Sequence, residues 1–561
     1  MILDTVRRRL VRFSAPQFFV LCLVLVLFTL VLLFPLVSLF SKAFTGASGD
    51  FTGLSNYRRY FNTPSLSVSV QNTVSISLVT TIVSSVLGFL YAYALTRTRI
   101  PGKTFFKYIA LLPIFIPTVV HALGLVYIFG RQGIATQLGF SIPLYGFTGI
   151  VISEIIYTFP QAFLMFYVAL EFADGRLYEA CESMGIPPLK KFLHVTLPEI
   201  KYTVVNVLFV CFTLAFTDFG APKVIGGSYN VLATDIYKQI AGQFNMNMGA
   251  VVGTLLLFPA ILSFLTGRIV SNRNTGSLNA RSLKLTVKPL PGRDIFFFSV
   301  CSIITLCFLF LITALFVGAL TRYYPYDLSF TLKHFAFNKS TGGIGSYFNS
   351  LYMSFLTALF GTAFVFFYAY MMEKSTGHGF LTKYGKLLSV LPLAIPGMVV
   401  GLSFIFFFNA RHNPFHFIYG TVTILVLSNI LHYFSVPYLT AAGALKKLDS
   451  EFETVAESMK IPRRQTFFRV TVPLSLPAIL EIGMYYFVNA MVTVSALVFL
   501  YSANFKIASI AITHMEEAGD ISQAAAMSLL ILCFNIVIRL VYELVIKYIA
   551  KKRKLERMES L

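Results

Sequence analysis

The chain has 561 residues, of which 56% are hydrophobic and only 12% are charged. Soluble globular proteins carry about 25% charged residues, so the composition excludes a soluble enzyme or binding domain and predicts a polytopic membrane protein. The formal net charge is +21, but no nucleic-acid-binding motif accompanies it, and we expect no nucleic-acid partner.

Twelve apolar segments are long enough to cross a bilayer, which takes about 20 residues in a helix. The first follows three arginines at 7–9 and is longer than a signal-peptide core, so we interpret it as a retained span, with a cleaved signal as the alternative. The predicted fold class is therefore an all-α polytopic membrane protein. The predicted spans are 17–41, 70–96, 107–130, 145–170, 201–218, 249–267, 295–319, 350–372, 385–408, 417–444, 478–501 and 522–546.

Most of the 45 Lys and Arg residues lie in one of the two sets of alternate loops. This set contains both termini and two long polar inserts, 174–200 and 449–475. Basic loop residues are retained on the cytoplasmic side of a membrane. The sequence therefore predicts that both termini and both inserts are cytoplasmic.

The two inserts belong to an internal duplication. An even number of spans separates them, so the halves are predicted to be parallel six-helix repeats. We place the first half at 1–270, a cytoplasmic linker at 271–294 and the second half at 295–561. The matching residues are Asp174, Glu182, Ser183, Met184, Ile186, Pro187 and Pro198 in the first insert, and Asp449, Glu457, Ser458, Met459, Ile461, Pro462 and Pro473 in the second.

Each insert is predicted to form a short helix, a turn and a second short helix. Asp174 and Asp449 stand where a helix N-cap belongs, and Gly185 ends the first helix of its insert. In that helix Leu177, Ala180, Cys181 and Met184 form an apolar stripe at helical spacing. Two interpretations remain open at this point, a hairpin held by another protein and an interfacial helix lying on lipid.

The first insert resembles the EAA loop of binding-protein-dependent ABC importer permeases. The resemblance rests on Glu179-Ala180-Cys181, then Gly185, then Val195, Leu197 and Pro198. It implies a fused permease in a bacterial inner membrane, with two ABC ATPase subunits docked on its cytoplasmic loops and an extracytoplasmic solute-binding protein. ATP and Mg would bind to the ATPase, and no cofactor is expected on this chain. The residues implied to couple to the ATPase are Asp174, Glu179, Ala180, Glu182, Gly185, Asp449, Glu453, Glu457 and Lys460.

The second insert departs from this pattern at two positions. Thr454 stands at the place of Glu179, with Glu453 one residue earlier, and Lys460 replaces Gly185. If Lys460 were helical, the turn there would have to differ from the turn at Gly185. We therefore expect two unequal docking sites.

Neither a phosphate-binding G-x-x-x-x-G-K-[ST] loop nor a hydrolase motif is present in the sequence, and we predict that the chain is not an enzyme. An intramembrane enzyme would need paired catalytic groups, and a proton-coupled carrier is a further alternative. The ionisable residues of the spans form no recognisable catalytic pair, although Arg539 and Glu543 are expected to pair with each other. These residues are Glu154, Glu481, His121, His432, Arg539 and Glu543.

Four polar residues are candidates for the translocation pathway or for contact with the binding protein: Asp218, Glu154, Asn429 and His121. Asp218 begins the segment 217–243, which is predicted to lie outside. This segment and 489–512 resemble permeases for 2-aminoethylphosphonate or ferric iron. Thiamine, sulfate and polyamine are alternative substrates, and no resident metal is predicted.

Overall fold

The computed structural model describes residues 15–46, 48–140, 142–273, 285, 287–374, 379–410, 412–449 and 451–559. Most of the predicted linker and the arginines at 7–9 lie outside the described residues. Most of the described chain is helical, which confirms the predicted all-α class. The two strands in the described residues, β1 (Thr321–Tyr323) and β2 (Asp327–Phe330), form one antiparallel hairpin.

The first half of the chain contains thirteen of the described α-helices, including short ones. They are α1 (Ala15–Ala43), α2 (Ser55–Asn62), α3 (Pro64–Arg97), α4 (Lys103–Leu111), α5 (Thr118–Phe129), α6 (Ile134–Gln137), α7 (Phe147–Glu171), α8 (Gly175–Ser183), α9 (Pro188–Lys191), α10 (Leu197–Thr217), α11 (Gly220–Ile225), α12 (Leu232–Tyr237) and α13 (Met246–Arg273).

The second half repeats the order of long and short helices. Its described helices are α14 (Pro291–Leu320), α15 (Gly345–Glu373), α16 (Gly379–Val390), α17 (Gly397–Phe408), α18 (Val422–His432), α19 (Ser435–Lys447), α20 (Glu451–Ser458), α21 (Arg463–Thr466), α22 (Val472–Leu474), α23 (Leu476–Val492), α24 (Ala508–Glu517) and α25 (Ile521–Glu559).

Eight helices are long and apolar enough to cross a membrane, and four bent helix pairs bring the number to as many as 12. Each of the predicted spans overlaps one of these helices or pairs. One predicted end is wrong: the span at 478–501 leaves the helical conformation after Val492, because residues 495–500 form turns. The chain is thus a multi-pass membrane protein.

The third span of each half is broken rather than straight. The two parts of the span meet at 106° in the first half and at 110° in the second. Each break follows a short 3₁₀ turn and lies at a proline, Pro117 or Pro396. Proline lacks an N–H and clashes with the preceding turn, so the helix stops and restarts in a new direction.

The chain packs as two compact units that do not follow the sequence halves. The first unit contains the described residues within 43–341 and 511–529, and the second contains those within 1–42, 342–510 and 530–561. Helix α1 thus belongs to the unit formed mainly by the second half, where Phe28 packs on Tyr368 and Phe434 with ring centroids 5.3 and 4.4 Å apart. The division of the sequence at 270 and 294 stays a prediction.

The core of the first unit depends on close contact between α3 and α7. A Cβ on Gly88 would lie 2.8 Å from the Ala162 Cβ, so the two helices touch there through small residues. Tyr91, on the same helix, donates its hydroxyl to the carbonyl oxygen of Phe106 at 2.9 Å. Small residues at such crossings are typical of helix packing in membranes.

Candidate functional site

The first polar insert forms the predicted hairpin, with α8 as its first helix. Asp174 caps α8, because its Oδ1 accepts a hydrogen bond from the Arg176 backbone nitrogen at 3.1 Å. Asp449 accepts from the Glu451 nitrogen at the same distance in the second hairpin. The predicted capping role is confirmed for Asp174, and Asp449 makes the same kind of bond at the start of its hairpin helix.

Both hairpin helices end in the same left-handed turn. Gly185 has a φ of 65°, and the following Ile186 nitrogen donates to the Cys181 carbonyl at 2.9 Å. Lys460 has a φ of 55°, and Ile461 donates to Ala456 at 2.8 Å. Lys460 is therefore not helical, so the condition under which the two turns would differ is not met. The second hairpin keeps the turn although a lysine, with its Cβ, must adopt a conformation that favours glycine.

Each hairpin carries an exposed apolar stripe. In α8 the exposed members are Leu177, Ala180 and Met184, of which Met184 is 75% exposed. Cys181 belonged to the predicted stripe but is buried, because it faces inward beside Tyr178. The stripe is left uncovered by the first unit itself.

The corresponding stripe of α20 is larger. Its members are Phe452, Val455 and Met459, which are 48%, 55% and 66% exposed. They line a cavity of about 500 Å³ together with Arg469 and other residues of the second hairpin. The two hairpins have the same backbone conformation, but their exposed apolar stripes differ in size.

Glu179 and Glu182 are both exposed, but Glu182 is held in two ion pairs within the first unit. Lys288 Nζ lies 2.8 Å from the Glu182 carboxylate, and Lys191 Nζ lies 3.3 Å from it. The hydrogen bond from Lys288, with a smaller contribution from Lys191, lowers the pKa of Glu182. Of these two glutamates, Glu179 is the one presented for an outside contact.

Glu453 does not occupy the place of Glu179. Its carboxylate lies 3.1 Å from Lys374 Nζ, and both side chains are largely buried, 24% and 13% exposed. In the first hairpin the same places hold Tyr178 and Arg97, whose guanidinium lies 4.7 Å from the tyrosine ring centroid. The side chain of Glu457 lies outside the described residues.

Arg97 and Lys374 were missed by the sequence analysis although a signal was available. Each follows the repeated Tyr-Ala-Tyr, at 91–93 and 368–370, by four residues. Each anchors its hairpin from the end of a long helix, α3 or α15. The repeat register shows that these two basic residues correspond, but their contacts with the hairpins are seen only in the structure.

The structure brings three of the four candidate pathway residues into one unit. Glu154, His121 and Asp218 lie in the first unit, and Asn429 lies in the second. Glu154, His121 and Asn429 are all 0% exposed. Asp218 caps the end of α10, where its carboxylate accepts from Thr118 Oγ1 at 2.8 Å and from the Ala221 nitrogen at 3.0 Å. Their roles in a pathway stay predictions.

The break of the third span contacts the segment after the fifth span in both units. A Cβ on Gly220 would overlap Thr118 Oγ1 and lie 2.8 Å from the Val119 nitrogen. In the second unit the glycine is on the other side of the contact, because a Cβ on Gly397 would overlap Ser495 Oγ. We call each contact the junction of its unit. Both repeats keep this close contact between two backbone segments, but the glycine that allows it lies on a different segment in each.

Within the described ranges, no group of three or more His, Cys, Asp or Glu side chains is arranged to hold a metal ion.

The two halves each match the same protein family, described as "Binding-protein-dependent transport system inner membrane component". The matches cover residues 84–276 and 375–554, so they include both hairpins. The chain belongs to this family. It is an importer permease with two fused halves.

Two relatives match the permease over most of its length. "Ferric transport system permease protein FbpB" of Actinobacillus pleuropneumoniae is 29% identical over 85% of this chain and 71% of its own length. "Putative ferric transport system permease protein FbpB 1" of Haemophilus influenzae is 29% identical over 87% and 78%. The "Spermidine/putrescine transport system permease protein PotC homolog" of Mycoplasma genitalium is 30% identical but covers 30% of this chain.

Proposed function

We propose that this permease forms the translocation pathway for ferric iron, delivered by an extracytoplasmic binding protein and driven by two ABC ATPase subunits. One ATPase docks on each hairpin at the cytoplasmic face. ATP-driven closure of the ATPase pair draws the hairpins together and opens the pathway outward. The alternatives from the sequence, a proton-coupled carrier and an intramembrane enzyme, need no ATPase partner.

The uncovered apolar stripes carry the proposal for ATPase docking. Each stripe lies on a helix that ends in a left-handed turn. Each hairpin is anchored to its own unit by Arg97 or Lys374. A helix laid with its apolar face in a groove is a common mode of protein recognition. An anchored helix can also transmit a push or pull to the spans behind it.

The choice of ferric iron is supported by the share of this chain that each relative matches. The three relatives named for ferric or Fe(3+) transport match 82–87% of the chain, whereas the polyamine relative of Mycoplasma genitalium matches 30% of it. A sulfate permease of Chlamydomonas reinhardtii matches 36% of it. None of these relatives is named for a phosphonate, so 2-aminoethylphosphonate is not retained.

The test is reconstitution in proteoliposomes with the ATPase inside and the loaded binding protein outside. We expect radiolabelled ferric iron to accumulate only with the ATPase and ATP, and 2-aminoethylphosphonate, spermidine and sulfate not to accumulate. A permease with Met184→Glu and Met459→Glu is the matched control, because it places charges on both stripes. This control should fold but not retain the ATPase.

Uptake by the permease alone under a proton gradient would contradict the proposal and favour the carrier. Substrate turnover by the purified chain would favour the enzyme. ATP-driven uptake of another solute in place of iron would refute the substrate while leaving the docking intact.

A further inference from the structure

Glu154 lies in the middle of α7 with a carboxyl group that has no donor. The side chain is 0% exposed, and neither of its oxygens receives a hydrogen bond from the residues that the structure describes. An ionised carboxylate in such a place costs several kcal/mol unless it is paired. The site must therefore supply either a cation or a proton.

The group facing Glu154 is another carboxyl, that of Asp218. Asp218 directly follows α10, which packs on α7, and its carboxyl interacts with that of Glu154. Asp218 already accepts from Thr118 and from the Ala221 nitrogen, which suits its ionised form. Two carboxylates cannot bond to each other unless one of them carries a proton, and like charges in contact disfavour double ionisation.

No cation from the packed helices reaches the pair. Asp218 is the one charged group that acts on Glu154 among the described residues. The titratable groups on the surrounding helices have other partners. His121 on α5 contacts the Pro113 oxygen at 3.2 Å, Lys223 on α11 pairs with Glu517, Lys107 on α4 covers the Tyr167 ring, and Arg97 on α3 donates to the Leu170 oxygen. Cys211 on α10 is buried.

We propose that Glu154 and Asp218 form a proton-binding site at the junction of the first unit. Glu154 carries the proton, and its O–H donates a hydrogen bond to the Asp218 carboxylate. The bond ties the middle of α7 to the end of α10, beside the contact of Thr118 with Gly220. Asp218 is less buried than Glu154.

The second unit has no carboxyl group at the corresponding places. Asn429 and Thr493 stand at the places of Glu154 and Asp218, and Thr493 caps α23 in the same extended conformation. Both are buried. Neither an amide nor this hydroxyl holds an ionisable proton, and the Thr493 hydroxyl bonds instead to the Tyr433 hydroxyl and the Asn489 oxygen, so the proton site belongs to the first unit alone. Loss of the proton would place two negative charges in contact and loosen one junction while leaving the other unchanged.

The first test is infrared difference spectroscopy of the purified full-length permease at pH 7. We expect the wild type to show a carbonyl band of a protonated carboxylic acid that Glu154→Gln lacks and Asp218→Asn keeps. Asp235→Asn, which removes another buried carboxyl of the same unit, should leave that band unchanged. No protonated-acid band in the wild type, or loss of the band in Asp218→Asn with retention in Glu154→Gln, would overturn the assignment.

The second test is the thermal stability of the same proteins between pH 7 and pH 10. We expect the wild type to lose stability as pH rises and Glu154→Gln, whose amide donates at every pH, to lose measurably less. Equal slopes would refute the site. A wild-type band that disappears when sodium or calcium is added at pH 7 would show a cation site instead. If Glu154→Gln does not fold, the wild-type spectrum and its response to these cations still decide the proposal.

Discussion

Glutamates near the start of the two hairpin helices have different surroundings. Glu179 is exposed on α8, whereas Glu453 is paired with Lys374 inside the second unit. A charge-assisted hydrogen bond from a partner to a desolvated Glu179 would contribute about 1.5–3 kcal/mol. Thr454, at the corresponding place, cannot supply it.

We therefore expect Glu179→Ala to weaken ATPase association about tenfold or more, and Glu453→Ala or Glu457→Ala to weaken it less. Glu453→Ala should instead lower the thermal stability of the permease, because it leaves Lys374 partly buried without its carboxylate. Co-purification of the ATPase, with ATP hydrolysis and a melting curve for each variant, measures both effects. Equal losses of binding from the two hairpins would contradict this difference.

Lys460 has a left-handed backbone conformation, which is sterically unfavourable for a residue with a Cβ. Replacing a non-glycine residue at positive φ by glycine removes a steric cost of about 1 kcal/mol. We expect Lys460→Gly to slow hydrogen–deuterium exchange of the amides in 451–461, and Gly185→Ala to speed exchange in the first hairpin by a similar factor. Gly185 has open space around it, so this matched variant isolates the backbone term. Faster exchange in Lys460→Gly would refute the assignment.

At the scale of elements, the two junctions keep one close contact with the glycine on opposite sides. A Cβ on Gly397 would overlap Ser495 Oγ and come within 3.2 Å of the Ala496 nitrogen. We expect Gly397→Ala to lower the melting temperature, because overpacking typically costs 1–3 kcal/mol. Ser495→Gly in the same chain should restore much of the loss. No rescue would mean that the backbone contact, rather than the hydroxyl, sets the limit.

Helix α24 carries an acidic pair that faces α11 within the first unit. Lys223 Nζ lies 2.6 Å from Glu517. Hydrogen bonding to His514 and Lys223 lowers the pKa of Glu517 to about 2, while burial and the neighbouring Glu517 raise the pKa of Glu516 to about 7.

These shifts act on stability in separate pH ranges. Glu516 binds its proton more tightly in the folded state, so its contribution is lost as pH rises from its ordinary 4.5 towards 7. Glu517 contributes above 4.5 and loses its contribution as pH falls towards 2. We expect Glu516→Gln to flatten the fall of the melting temperature between pH 5 and pH 7. An unchanged profile would show that Glu516 is ionised throughout.

At the scale of the whole molecule, the distribution of basic residues predicts the orientation in the membrane. Cysteines introduced at Lys190 and Arg463, in a chain whose six native cysteines are replaced, should not react with an impermeant thiol reagent applied to intact cells. Lys339→Cys, on the predicted outer side, is the matched control and should react. Reaction at either hairpin from outside would reverse the orientation and remove the ATPase from that face.

Much of the architecture was determined by the sequence by itself. Apolar length predicted the spans, because a helix crossing lipid must bury every backbone polar group internally and keep its outer surface apolar. The duplication and the capping positions predicted both hairpins, since Asp174, Asp449 and Gly185 act through contacts a few residues away. These are local effects, and the sequence shows them directly.

Tertiary structure alone decided what lies opposite each polar residue. The left-handed Lys460, the Glu453–Lys374 pair and the facing carboxyls of Glu154 and Asp218 join residues that are far apart in the chain, or depend on a conformation that the residue type disfavours. The packing of α1 against the second half is likewise a contact between segments that are far apart in the chain. Such pairings follow from packing between distant segments, which has no period or spacing in the sequence from which it could be inferred.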